Sequence, residues 1–213
     1  MPRTVREYRC LLISPSDVEA ERTALTDLIG RWNAHIGEGL DARVELVPWE
    51  SHVTPDMSAP AQTVINRQLV DRCEMGIAIF WSRLGTPTAQ YASGSVEEIY
   101  RLRARGARVL IYFSTQPIPQ ERLRDDQFAR LQAVRTQFES EGLLAAYQST
   151  ENLREQVMLH LTSVVVDLLV KDRPDIAPVP GRPWLGERRL ALIDEVNRLA
   201  SEFADHCSRY YYV

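Results

Sequence analysis

Short apolar runs alternate along this chain with stretches whose apolar residues fall at helical spacing, and the alternation repeats five times. From Tyr8 the run YRCLLIS is apolar and stops at Ser14-Pro15-Ser16-Asp17, which predicts a buried first strand. Val18, Leu25, Leu28, Ile29 and Trp32 follow at mostly helical spacing, and Ser16 with Glu19 forms a capping-box pattern. A first helix is therefore expected up to the Gly37–Gly39 region. A second strand is predicted over 42–47, stopping at Pro48-Trp49, then a loop and a helix over 61–72 with Val64, Ile65 and Leu69 inward. The run MGIAIFW from Met75 is the strongest strand candidate, and a long loop leads from it to a helix opening at Ser95. Then come a strand from Val109, a helix over 127–139, a strand in LLAAYQS and a long helix over 151–171.

Such β-α alternation predicts an α/β fold with helices on both faces of a parallel sheet. Strands that are continuously apolar, not alternating, agree with burial on both faces. Residues 173–183 are dense in proline and read as a semi-rigid linker. Residues 184–213 read as an amphipathic helix carrying Leu190, Ile193, Val196 and Leu199, a face that packs on its own domain, a second copy or another protein.

In open parallel sheets, ligands bind outside the carboxyl ends of the strands where strand order reverses. For a flavodoxin-like order 2-1-3-4-5, that point lies between strands one and three. The loops meeting there are SPSD and SRLGTPTAQYASGSVEE, the two richest in Ser, Thr, Gly and charge. In the second loop, Ser93, Gly94 and Ser95 lead into a helix whose free N–H groups suit an anion or a ribose oxygen. Glu98, in the first turn, is placed to orient a ribose hydroxyl or stabilise an oxocarbenium-like centre. Ser95 and Glu98 also form a capping box, which accounts for the acid without any ligand. Glu97 reads as a solvated acid favoured by the helix dipole. Ser14 and Asp17 read either as contacts to the sugar or base of a nucleotide or, with Ser16, as caps of the first helix. Trp49 and Trp81 end strands two and three at the same rim, where they stack on a flat ring or pack in the core. Arg83 suits a phosphate or a neighbouring acid, and Gly85 lies in the same loop.

Composition narrows the picture. The net charge of −4 gives no general basic field for nucleic acid, and Arg101, Arg103, Arg105 and Arg108 read as a solvated helix face. No apolar run approaches the roughly 20 residues that span a bilayer, so no membrane association is expected. The charged N-terminus has no signal-peptide core. Cys10, Cys73 and Cys207 make neither a disulfide framework nor a metal pair, and a reducing cytoplasm fits. His35, His52, His160 and His206 have no ligand spacing, so no metal is expected. Neither GxxxxGK[ST] nor GxGxxG occurs.

The motifs together resemble a family. Ile13-Ser14-Pro15-Ser16-Asp17-Val18 with Glu21-Arg22 is similar to the SPxDVxxER opening of a TIR-like domain of unknown function, often fused to STAND-type NTPases or found in prokaryotic defence proteins. Ile65-Asn66-Arg67-Gln68-Leu69, Ile79 to Thr88 and Ser93 to Ile99 extend the likeness over most of residues 7–170. The resemblance implies a TIR-like three-layer sandwich. Its wider relatives, TIR domains and nucleoside deoxyribosyltransferases, act at a ribosyl C–N bond through a glutamate after strand three. Their G-T-x-x-E pattern is similar to Gly94-Ser95-Val96-Glu97-Glu98, with serine for threonine, and points to Glu98 as catalytic. Trp184-Leu185-Gly186-Glu187-Arg188-Arg189-Leu190 is similar to the lead-in of STAND modules.

Two functions follow as expectations. One is cleavage of the nicotinamide–ribose bond of NAD or a related nucleotide by Glu98, with NAD as substrate, no separate cofactor, and self-association required. The other is a non-catalytic module that binds a nucleotide signal or a partner protein and transmits through the terminal helix. Deoxyribosyl transfer is a third, less specified reading.

Overall fold

Strand order follows from which runs are buried. The computed structural model describes residues 4–48, 53–123 and 126–172. The strands are β1 (Arg6–Ile13), β2 (Ala42–Val47), β3 (Met75–Phe80), β4 (Arg108–Ser114) and β5 (Ala145–Tyr147). All six residues of β3 are buried, as expected of a central strand covered on both faces. The sheet has the order β2-β1-β3-β4-β5 and is parallel, as the alternation predicts. Cys10 to Ile13 pair with Met75 to Ala78, and Met75 to Phe80 pair with Arg108 to Phe113. Around the sheet run α1 (Glu19–Trp32), α2 (Ala61–Gln68), α3 (Gly94–Ala104), α4 (Gln120–Leu123), α5 (Asp126–Glu141) and α6 (Thr150–Asp172).

Several boundaries differ from expectation. The helix expected over 61–72 stops at Gln68 and gives way to a 3₁₀ turn over Val70–Arg72. α3 opens at Gly94, not Ser95, and β5 is only three residues long. α4 lies in a stretch to which the sequence pattern assigns no element, although Pro119 just ahead of it is a helix-start signal. Residues 173–213, with the expected linker and terminal helix, lie outside the described residues, as do Trp49 and His52.

The chain forms two compact units. One is built on Tyr8–Asp27 and Glu45–Arg154, the other on Leu28–Val44 with stretches from both chain ends. In the first, Val96, Ile99 and Leu102 of α3 and Leu131, Val134 and Phe138 of α5 pack with Leu11, Ile13, Phe80 and Phe113. The Phe80 and Phe113 rings stack with centroids 5.2 Å apart.

In the second unit, α1 runs on through a π-helical turn, Asn33–Gly37, and one further turn, Glu38–Leu40. The helix ends only where Asp41 turns left-handed (φ 54°). The glycines at 37 and 39 are thus not its stop. Trp32 is fully buried, and its Nε1 donates to Thr162 Oγ1 at 2.9 Å. Asn33 behaves like a strand neighbour to β2: its Nδ2 donates to the Val44 carbonyl and its Oδ1 accepts from the Val44 N–H, both at 2.8 Å.

Gly37 is small for a packing reason. A Cβ there would lie 2.5 Å from the Ala42 carbonyl oxygen and 2.9 Å from Trp32 Cζ3. Backbone cannot yield as a side chain can, so Gly37→Ala is expected to lower stability by about 2 kcal/mol. Urea unfolding measures this, and a loss below about 0.5 kcal/mol, the scale of a neutral surface change, would contradict the packing account.

Candidate functional site

Chain direction brings the loops after β1 and β3 to the same end of the sheet, and one carboxylate joins them. Asp17 Oδ2 accepts from the Ser82 N–H at 3.0 Å and from Ser82 Oγ at 2.8 Å. The Asp17 side chain is only 3% exposed. Its other oxygen, Oδ1, is buried and has no hydrogen-bond partner. Arg122 of α4 closes over the pair. Its Nη1 lies 3.1 Å from Ser82 Oγ and 3.8 Å from Asp17 Oδ2, and its guanidinium covers the Trp81 ring at 4.8 Å. Trp81 is anchored in turn, with Nε1 donating to the Gln116 carbonyl at 3.3 Å.

Asp17 therefore does not cap α1, which begins at Glu19, and Ser16 is exposed in the turn ahead of it. Farther into α1, Glu21 is buried and accepts from Gln116 Nε2 and the Tyr147 hydroxyl, both at 3.4 Å. Burial, then the neighbouring Glu21 charge, holds the Tyr147 phenol well above its usual range, so it stays protonated.

The loop after β3 folds back on the start of α3. Gly85 has φ 98°, a conformation that disfavours any side chain, and the N–H groups of Leu84 and Gly85 both donate to Gln127 Oε1. The Gly94 N–H donates to the Thr86 carbonyl at 3.1 Å. Ser93 is the residue that caps the helix: its Oγ accepts from the Val96 N–H at 3.2 Å. Ser95 lies within the helix, so the expected Ser95–Glu98 capping box does not form.

Glu98, freed of that role, is 9% exposed. Gln62 of α2 donates from Nε2 to Glu98 Oε1 and to Asn66 Oδ1, each at 3.2 Å. Asn66, 1% exposed, donates from Nδ2 to Glu97 Oε1 at 2.6 Å. The two glutamates are thus tied to one carboxamide pair on the preceding helix, and Glu97 is not merely a solvated acid. Gly94 makes room for this, because a Cβ there would lie 2.5 Å from Gln62 Oε1.

Of the expected residues, the structure brings together Asp17 and Trp81, through Ser82 and Arg122. It also gathers Gly85, Ser93 and Ser95, since a Cβ on Gly85 would lie 3.7 Å from Ser93 Cβ and 4.0 Å from Ser95 Oγ. Ser14 is partly buried after β1, and Arg83 is exposed. Sequence reasoning missed Gln62, Arg122, Gln127 and the functions of Asn66 and Ser82. Asn66 and Ser82 stood within the quoted motifs, whereas Gln62, Arg122 and Gln127 carried no local signal. Among the described residues, no group of three or more His, Cys, Asp or Glu side chains is placed to hold a metal ion, and no helix is long and apolar enough to cross a membrane.

No curated protein matches the chain. Residues 14–162 match a protein family described as Domain of unknown function (DUF4062), a span that holds Asp17, Ser82, Gly94 and Glu98. The chain belongs to the DUF4062 family.

Proposed function

We propose that this chain is a TIR-like nucleotide-processing domain that cleaves the nicotinamide–ribose bond of NAD or a related nucleotide, in prokaryotic defence or signalling. The observation that carries the reading is the state of Glu98. It is buried, it does not cap its helix, and a glutamine from another helix fixes it one turn beyond Gly94. A carboxylate held this way suits a positive centre that develops at C1′. The C1′–N bond breaks, its electron pair stays on the nicotinamide nitrogen, and water completes C1′ and releases a proton. The Ser93–Ser95 backbone and the Gly85 turn offer close approach to the sugar and phosphates, with Ser14 and Arg83 at the margin of the same loops.

The second reading, a non-catalytic binding module, draws on the pairing of loop polar groups with one another, Asp17 with Ser82 and Gln127 with Gly85. Both readings include self-association or a partner protein, engaged through residues 184–213.

Glu98→Gln keeps an acceptor for Gln62 but removes the charge. It is expected to lower NAD cleavage by about a thousandfold, read as nicotinamide released by the concentrated, self-associated chain. Equal rates in the two proteins would end the catalytic reading in favour of the module. Gly94→Ala displaces Gln62 without touching the acid. It is expected to lower kcat about tenfold, as for loss of an interaction realised in the transition state. An unchanged kcat would show that Gln62 does not position Glu98.

A further inference from the structure

We propose that Trp81, Asp17 and Ser82 form a seat for a planar cationic ring, and that Arg122 fills this seat as a displaceable self-ligand. This deepens the nucleotide reading and rests on it, because the ring it selects is the positively charged pyridinium of an oxidised nicotinamide nucleotide. The seat has three parts. Trp81 gives an aromatic face, fixed from behind by its hydrogen bond to the Gln116 carbonyl. Asp17 gives a negative charge that is 3% exposed, so its field is poorly screened by water. Ser82 Oγ gives a polar contact between the two. Arg122 reports what the seat accepts, since a guanidinium is itself flat and cationic and lies over the indole at 4.8 Å.

The fit of Arg122 is loose where the seat itself is tight. Its nitrogen stands 3.8 Å from Asp17 Oδ2, beyond hydrogen-bond range, and Asp17 Oδ1 is left with no partner. The Arg122 side chain is 43% exposed, and α4 contributes no buried residue. Lifting this arginine therefore breaks little packing. It would uncover the indole face beside the Asp17 carboxylate. A neutral ring gains the stacking alone, and must displace Arg122 without replacing its charge beside Asp17.

Isothermal titration of the full chain tests this, in a Glu98→Gln background so that ligand is not consumed. The probes are NAD in its oxidised form and its reduced form, whose nicotinamide ring is uncharged. The oxidised form is expected to bind at least about tenfold tighter. Arg122→Ala is expected to tighten oxidised NAD about tenfold further, by removing a tethered competitor. Trp81→Leu should abolish the preference; if that variant does not fold, Trp81→Phe should weaken it. Equal binding of the two forms, or an Arg122→Ala protein that binds oxidised NAD no better or more weakly, overturns the seat while leaving nucleotide binding intact. Absence of binding by every variant overturns the seat and the nucleotide reading together. A charge preference in this titration, together with an unsubstituted chain that cleaves no NAD, upholds the seat and removes only the cleavage.

Discussion

The grip of Asp17 on Ser82 is the interaction on which the rest of the site depends. The two residues are 65 positions apart, and each follows a strand whose pairing is set by burial. Hydrogen bonds to a charged group contribute about 1.5–3 kcal/mol each, and here a backbone donor and a hydroxyl share one carboxylate oxygen. This contact holds the mouth of β1 against the mouth of β3. It holds the residue after Trp81, and Arg122 sits against both partners. It adds a side-chain tie between the two loops to the strand pairing that ends at Ile13 and Ala78.

Beyond that contact, the molecule uses carboxamides where charges would be expensive. Gln127 takes two adjacent N–H groups at the Gly85 turn. Asn33 stands in for a strand neighbour at Val44. Gln62 and Asn66 join Glu98 to Glu97. A neutral amide both donates and accepts, so it satisfies buried polar groups without the desolvation cost of an ion. At Glu98 the donor that Gln62 supplies is an uncharged amide.

The architecture was legible because burial writes continuous apolar runs. MGIAIF has six apolar or small residues in succession, and it proved to be the central strand. The convergence of two loops was legible from topology alone. The helix starts were not. A serine three residues before an acid satisfies the spacing of a capping box at both Ser16 and Ser95, yet the chain capped α3 with Ser93 and spent Asp17 on Ser82. Spacing along one segment cannot reveal a competing partner 65 residues away. For the same reason Gln62 and Arg122 were invisible: their importance comes from α2 and α4 meeting residues far off in sequence. Gly37 shows the reverse error, where a glycine read as a stop signal is small because Trp32 and the Ala42 carbonyl leave no room.

The central claim is that the loops at the carboxyl ends of β1 and β3 receive a nucleotide. Two-dimensional amide NMR of the full chain, titrated with NAD, tests it most directly. The account predicts that the amides of Ser82, Leu84, Gly85 and Gly94 and the Trp81 indole N–H shift progressively and saturably. Shifts confined to the open depression lined by Tyr91, Tyr100 and Gln137, or no shifts at all, would contradict it.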